Sequence, residues 1–454
     1  MNTKIPCPYC SSLKGYIYVQ SHYQCLNCKR VVDDCCGGEK MDCIIPVEKS
    51  EISSAFNRGG LQKSEFVINT EVDAKLSENL DFTALIRVRN DFNSLYNSSD
   101  NPNSSYATTH YQGTIAGSAI GELREFYTDF FIGNTSLRIG KQQVVWGQTD
   151  GLKVLDVINP QSFQEFILDD FESSRIPLWT LNADISLNDN TSLQFLWIPD
   201  FTYHELPSPN SLFEFRSPLL TLTTSEKARI KHTRKLEPKK ILEDSDVGVR
   251  LAIFLDGWDI TFNYFYHYDD FPLFEQSGDH NNLHLLTRYK RNKLYGGSFT
   301  KAFKNTVLRS EYGYSTNKYF LSRDASGIVG FSETPEFKVA VAIDYNADDE
   351  LFVSGQLLLS DAIKSGLQLS RDELETSVTL LVSKSLFNNA LILENFIVHS
   401  LNNEDGIVRP KFIYEYKSNI SIWGGIDIFY GDSLGYFGQF KGLDRFNFGV
   451  KIGI

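Results

Sequence analysis

From Phe66 onward, apolar and polar residues alternate with a period of two. Phe66, Ile68, Thr70, Val72, Ala74 and Leu76 fall on one side of an extended chain, and Glu65, Asn69, Glu71, Asp73 and Lys75 mostly on the other. After a turn at Ser77-Glu78-Asn79, Phe82, Ala84, Ile86 and Val88 alternate with Thr83, Arg87 and Arg89. The unit recurs as Leu181 to Leu187 followed by Leu193 to Trp197, as Val247 to Leu255 followed by Trp258 to Tyr266, and as Phe412 to Tyr416 followed by Ile420 to Tyr430. Asp256-Gly257 and the Asn-rich pairs at 188–190 and 418–419 are strong hairpin signals between such runs.

The connections alternate as well. Short turns are predicted near 77, 133, 188, 256, 304, 347, 388 and 418. Long polar segments separate them at about 91–121, 145–177, 200–245, 269–291, 316–334, 361–372, 401–409 and 432–443. Short turns at one end and long loops at the other is the layout of an outer-membrane barrel, and strands of this length suit a hydrocarbon core crossed at a tilt. A soluble β-sandwich is the competing architecture, but it rarely sustains strands this long with such loop asymmetry. The expectation is an all-β, antiparallel transmembrane β-barrel of about 16–18 strands.

Composition narrows this further. The 454 residues include 44 Lys+Arg against 57 Asp+Glu, a net charge of -13, which argues against coating nucleic acid phosphates as the barrel's main task. With 13% aromatic residues there is ample surface to bury, so disorder is excluded. No run approaches the ~20 apolar residues of a membrane-spanning helix. The last residues, Phe446, Phe448, Val450, Ile452 and Ile454, alternate to the end and resemble the terminal signal read by the barrel-assembly machinery, with Ile454 where an aromatic residue is usual.

All seven cysteines lie within the first 43 residues. Cys7-Pro-Tyr-Cys10 and Cys25-Leu-Asn-Cys28 are two CxxC knuckles with 14 residues between them, and four thiolates so spaced suit a tetrahedral zinc ion. A small hairpin through Tyr16 to Gln20 and Tyr23-Gln24 would join the knuckles. Two disulfides in a secreted peptide are the alternative. Cys35, Cys36 and Cys43 are surplus. The domain expectation is a zinc-ribbon-like module over 1–43, a linker or degenerate first strand over 44–60, and the barrel over 61–454. The first 30 residues show no basic start followed by an apolar core. The eight turns imply 16 strands and 444–454 a seventeenth, whereas bacterial barrels have even counts. The expectation is therefore that a first strand and an export signal have been displaced by the ribbon, as a fusion or a misassigned gene start.

The most specific segment is Arg138-Ile-Gly140-Lys-Gln-Gln-Val-Val-Trp146-Gly147, followed by Asp156-Val-Ile-Asn159-Pro160 and Ser174-Arg175-Ile176-Pro177. It resembles an uncharacterised family of proteobacterial outer-membrane proteins with a Gly-(Lys/Arg)-Gln…Trp-Gly strand end and a downstream Asn-Pro loop. The resemblance implies a porin-like barrel, in some members linked with an exporter, and supplies no catalytic residues. Physically, the loop could fold into the lumen, with Trp146 either at the interfacial belt or plugging a gap, and Asn159-Pro160 fixing a turn. Such a segment is either a structural corner or a constriction. Arg87, Arg89, Glu125, Asp129 and Arg138 face the lumen in these strand phases and, with Trp146, Asp156 and Asn159, form the candidate lumen-lining set. The seven Lys/Arg between Lys227 and Lys240 are either a solvated loop or a site for lipopolysaccharide phosphates or anions. No nucleophile elbow, phosphate-cradling glycine loop or carboxylate pair at a convincing strand end is present, so no enzyme is expected. The expected function is a porin-like channel in the outer membrane of a Gram-negative bacterium, passing a small solute passively or with an exporter. A plugged structural or binding barrel and a soluble zinc-ribbon protein with a β-rich domain are the alternatives. Zinc is the only expected cofactor, and outer-membrane lipid, lipopolysaccharide and the assembly machinery are the expected partners.

Overall fold

The computed structural model describes residues 16–19, 22–25, 31–32, 45–57, 59–93, 112–116, 119–227, 230–279, 282–323, 329–347, 350–363 and 368–453. Among the described residues eighteen strands form one closed antiparallel ring, and a further short strand, Gln112–Ala116, pairs with residues 119–122 of one of them. In chain order they are β1 (Ile45–Asn57), β2 (Gly60–Ser77), β3 (Leu80–Asp91), β4 (Ala119–Ile132), β5 (Thr135–Gln142) and β6 (Leu178–Asn188). Then come β7 (Thr191–Ile198), β8 (Asp246–Leu255), β9 (Trp258–Tyr268), β10 (Arg291–Phe303), β11 (Thr306–Arg323) and β12 (Val329–Asn346). The last six are β13 (Leu351–Ala362), β14 (Leu374–Leu386), β15 (Leu391–Ser400), β16 (Asp405–Lys417), β17 (Ile420–Tyr430) and β18 (Arg445–Gly453). Each strand pairs with its neighbours in sequence, and β18 pairs with β1 to close the ring, from Phe446 opposite Phe56 to Gly453 opposite Lys49.

The alternation read from the sequence sets the two faces. Ile52, Ile86, Phe262, Ile343, Phe446 and Phe448 are 48–65% exposed on the outside. An apolar outer surface of this extent is unusual for a free monomer in water and suits a hydrocarbon surround. The inward positions carry Glu65, Arg87, Arg124, Arg309, Glu311, Asp344, Asp427 and Arg445, all buried. All eight expected short turns are present, and several take left-handed backbone that Asn, Asp or Gly tolerates. Asp256 and Gly257, for example, have φ of 50° and 81°.

Three expectations change. The segment 44–60, set down as a linker or degenerate strand, contains the thirteen-residue strand β1 and the tight turn to β2. No strand of the ring is missing, and the count is even. β1 was weak in the sequence because Ser50 and Ser54 share its outer face with Ile52 and Phe56, which dilutes the alternation. The expected long loops at 316–334 and 401–409 are largely strand: β11 and β12 are eighteen residues each, and only 401–404 separate β15 from β16. The basic run is also partly extended. Ile230–Leu236 pairs in parallel with Asn282–Arg288, which pairs with Leu273–Asp279, and this small sheet packs on the extended β11–β12 hairpin through Leu222, Phe274, Leu285, Leu321 and Val329.

In the N-terminal region Tyr16–Val19, His22–Cys25 and Val31–Val32 make a three-stranded antiparallel sheet. Cys7, Cys10, Cys28, Cys35, Cys36 and Cys43 lie outside the described residues, and so does the side chain of Cys25. Among the described residues no group of His, Cys, Asp and Glu is arranged to hold a metal.

Candidate functional site

Strands β5 and β6 are direct neighbours, with Gln142 opposite Leu178. The 35 residues between them, 143–177, leave the wall and return to the same place. Asn159 closes the base of this excursion. Its Oδ1 accepts the Val144 N–H (2.7 Å) and its Nδ2 donates to the Ile176 carbonyl (2.9 Å), while the Ile176 N–H donates to the Pro160 carbonyl (2.8 Å). Asp156 pairs with Lys153 (2.7 Å) and Arg175 (2.9 Å). Gly147 is required there, because a Cβ on it would sit 2.6 Å from that of Asp156.

Inside this staple the segment packs on the lumen wall. Trp146, 1% exposed, donates its Nε1–H to Gln194 on β7 (2.7 Å) and meets Phe265 on β9 edge-on. It fills a gap in the interior, and the interfacial-belt placement is overturned. Inward-facing glycines make the sockets: a Cβ at Gly248 would meet Trp146 at 2.9 Å, one at Gly296 would meet Leu155 at 2.4 Å, and one at Gly313 would meet Val154 at 3.3 Å. Val144, Trp146, Val154, Leu155 and Ile158 thus share one apolar core with wall residues Leu196, Phe265, Leu294, Ala340 and Leu358.

Polar contacts fix the segment on the other sides. Glu311 accepts from the backbone N–H groups of Gln148 and Leu155. Arg309 pairs with Asp150 (2.6 Å) and Asp344 (2.7 Å), and Gln356 exchanges two hydrogen bonds with the Asp150 backbone, each 3.1 Å. Gly151 abuts the Phe396 ring. Arg409 donates to the carbonyls of Ile167 (3.2 Å) and Leu168 (2.8 Å). On the return, Arg87 reaches Ser173, and Arg124 donates to the carbonyls of Glu172 (3.2 Å) and Arg175 (2.6 Å).

Glu165 is the electrostatic centre of the arrangement. It binds Lys63 of β2 and Arg445 of β18 (2.9 Å). The contacts extend as a chain of alternating sign: Arg409–Asp427 (2.8 Å), Asp427–Arg445 (2.8 Å), Arg445–Glu165, Glu165–Lys63, Lys63–Glu65 (2.8 Å), Glu65–Arg89 (2.7 Å) and Arg89–Asp169 (3.4 Å). Burial alone would raise the Glu165 pKa, but the Lys63 and Arg445 charges outweigh it and hold the carboxyl well below its ordinary range.

Above this level three loops contribute aromatic rings to a second core. Phe166 lies 4.7 Å from Phe440 and 5.6 Å from Phe437 between ring centroids, and Phe213 lies 5.7 Å from Phe440. Val398, Ile407 and Phe429 of the wall complete it. His204 joins two of the loops. Its Nδ1 accepts the Gln161 N–H (2.9 Å), and its ring packs edge-on against Phe163 and Phe271. Burial lowers its pKa from 6.5 to about 3, against the opposing pull of Asp269. The unfolded ring binds a proton near 6.5 and the folded one only near 3. Its contribution is therefore complete above pH 6.5 and falls as the pH drops toward 3. The urea midpoint is expected to decline between pH 6.5 and 4.5, and less so in His204→Gln. Equal pH slopes in the two proteins would refute this assignment.

The structure brings Arg87, Arg89, Trp146, Asp156 and Asn159 together in or against the segment, and Glu125 touches its start by accepting from Gln143 Nε2 (3.1 Å). Asp129 and Arg138 instead pair with each other (2.7 Å), with Arg138 over the Tyr127 ring (3.9 Å), nearer the short turns. Glu165, Arg124, Arg309, Glu311, Asp427 and Arg445 escaped the sequence reading, although an inward glycine or charge in an otherwise regular strand is a signal that could have flagged their neighbourhood.

A closed eighteen-strand barrel with a segment stapled inside its lumen defines a porin-like barrel. Residues 50–394 match the family described as "Protein of unknown function (DUF1302)", and the chain belongs to that family. No curated protein matches it. Among solved structures it is similar to Pseudomonas aeruginosa OccK2 (OpdF) in complex with glucuronate, with a TM-score of 0.51 at 8% identity over 90% of this chain and 97% of that one. It is also similar to Salmonella typhi OmpF in complex with daunomycin, with a TM-score of 0.43 at 12% identity over 97% and 100% of the two chains. Of these, only the first likeness is close enough to bear on the architecture, and it speaks for the fold alone.

Proposed function

We propose that this protein is a porin-like channel of a Gram-negative outer membrane that passes a small solute, with segment 143–177 as its constriction. The observation that carries this is the stapled segment itself: a 35-residue excursion fixed to the lumen wall on several sides, inside a barrel whose outer face is apolar. The outer face also has aromatic residues at both ends of its apolar band. On β9 the outward Trp258 and Tyr266 are eight residues apart, about 26 Å along the strand and about 20 Å along a tilted barrel axis. In this orientation the short turns face the periplasm, where an exporter would dock. The knuckle cysteines take no part in this reading.

A plugged barrel is the second reading, favoured by the buried aromatic core that three loops build above the ionic chain. Planar bilayers separate the two. A channel gives stepwise conductance that scales with salt, at a level below that of an open barrel of this strand number. A heat-modifiable barrel that inserts and carries no current overturns the channel and leaves the plug.

A further inference from the structure

Turn 239–245, just before β8, holds two apolar side chains out of the protein: Ile241 is 58% exposed and Leu242 84%. The turn is built rather than loose. The Asp244 carboxylate accepts the backbone N–H groups of Lys239 (3.0 Å) and Lys240 (2.9 Å) and the Tyr268 hydroxyl (2.9 Å). Arg291 ties it to the barrel by donating to the carbonyls of Glu243 (3.1 Å) and Ser245 (2.9 Å) and pairing with Asp246 (2.7 Å). The Arg291 guanidinium lies over the rings of Tyr266 (4.6 Å) and Tyr268 (4.0 Å).

This corner sits on the outer rim. Tyr264, Tyr266 and Tyr268 continue the outward row of β9 that carries Phe262, and Tyr264 packs on Tyr295 of β10 (5.1 Å). Exposed Lys293 stands opposite Tyr266 in the ladder. The local carboxylates do little to neutralise the lysines. Asp244 is engaged by the turn and Asp246 by Arg291, while the Lys240–Glu243 pair is 69% and 70% exposed and contributes little in water. Lys239 and Lys240 thus directly precede a pair of exposed apolar side chains, and Lys293 stands on the neighbouring strand beside Tyr266 in the row of outward tyrosines, an arrangement that suits a membrane surface.

We infer that this corner of the rim binds a phosphorylated lipid of the outer leaflet. Ile241 and Leu242 enter the acyl region, and the three lysines meet headgroup phosphate. The apolar pair decides between sources, since a free phosphate ion has nothing to offer Ile241 and Leu242. The inference rests on the membrane-barrel reading.

The test uses the full chain purified in detergent, native mass spectrometry, and three probes: bis-phosphorylated lipid A, its dephosphorylated form and inorganic phosphate. The expected result is a discrete adduct with the phosphorylated lipid only. It should weaken about tenfold or more in the combined Lys239→Gln, Lys240→Gln, Lys293→Gln variant, and also weaken in Leu242→Ser. Each variant is first checked for the gel shift on boiling that marks a closed barrel. A shift with equal uptake of phosphorylated and dephosphorylated lipid, or with undiminished binding in the lysine variant, overturns this site and leaves the barrel standing. Adducts with inorganic phosphate alone would also overturn it. Absence of any shift in the parent protein removes the membrane reading and this site together.

Discussion

Excising residues 148–172 and bridging the gap with a short Gly-Ser linker is expected to raise single-channel conductance several-fold while leaving a heat-modifiable barrel. The ring of strand ladders closes without the segment, through β18 and β1, and the wall groups it covers, Arg309, Glu311 and Gln356, are polar and can be hydrated. The main losses are the apolar contacts of Val154, Leu155 and Ile158 with the wall and the Glu165 carboxylate beside Lys63 and Arg445, whose charges are hydrated once the lumen opens. A milder version is Asn159→Ala. It strands the Val144 N–H and the Ile176 carbonyl, about 1–3 kcal/mol for each buried group left unpaired, and should show as current noise from a segment that detaches at its base. An excised protein with the parent's conductance would mean that the narrowest point lies elsewhere, and the constriction would have to be given up.

The second large effect is on stability. Glu165→Ala removes the carboxylate shared by Lys63 and Arg445, and breaking a buried ion pair in this way costs about 3–5 kcal/mol. The urea midpoint of the boiling-sensitive gel band should fall accordingly, with Glu165→Gln intermediate because an amide keeps one acceptor. The pH dependence has a defined sign. The folded carboxyl titrates below its ordinary value of 4.5, so its stabilisation is fully present above pH 4.5 and is lost as the pH falls further. Between pH 5 and 8 the difference between parent and Glu165→Ala should stay constant. A variant as stable as the parent would place the strength of the lumen in its apolar core instead.

The strands were legible because a barrel with an apolar outer face and a polar lumen writes its two faces directly into the sequence. Outward residues must be apolar and inward ones need not be, so period two survives almost without exception in β2, β3, β8 and β9. It fades in β1, where Ser50 and Ser54 interrupt the outer face, and there the sequence suggested a gap that the structure fills. The site was half legible. Trp146, Asp156 and Asn159 stood out through local spacing, and Arg87 and Arg89 through strand phase. Glu165 did not, because its partners are Lys63, 102 residues away, and Arg445, 280 residues away; no local pattern joins residues so distant. The same holds for Glu311, whose role comes from backbone donors in a segment more than 150 residues earlier.

The positions of Lys63 and Arg445 have a consequence for biogenesis. They lie on β2 and β18, the strands on either side of β1, so Glu165 spans the junction where the first and last strands of the ring meet. That junction is the last to form when strands are added in order of synthesis. Until it forms, the carboxylate lacks Arg445 and the segment lacks that anchorage. Seating of the segment would thereby depend on completion of the wall, and an incomplete ring would carry an unseated loop open to proteolysis.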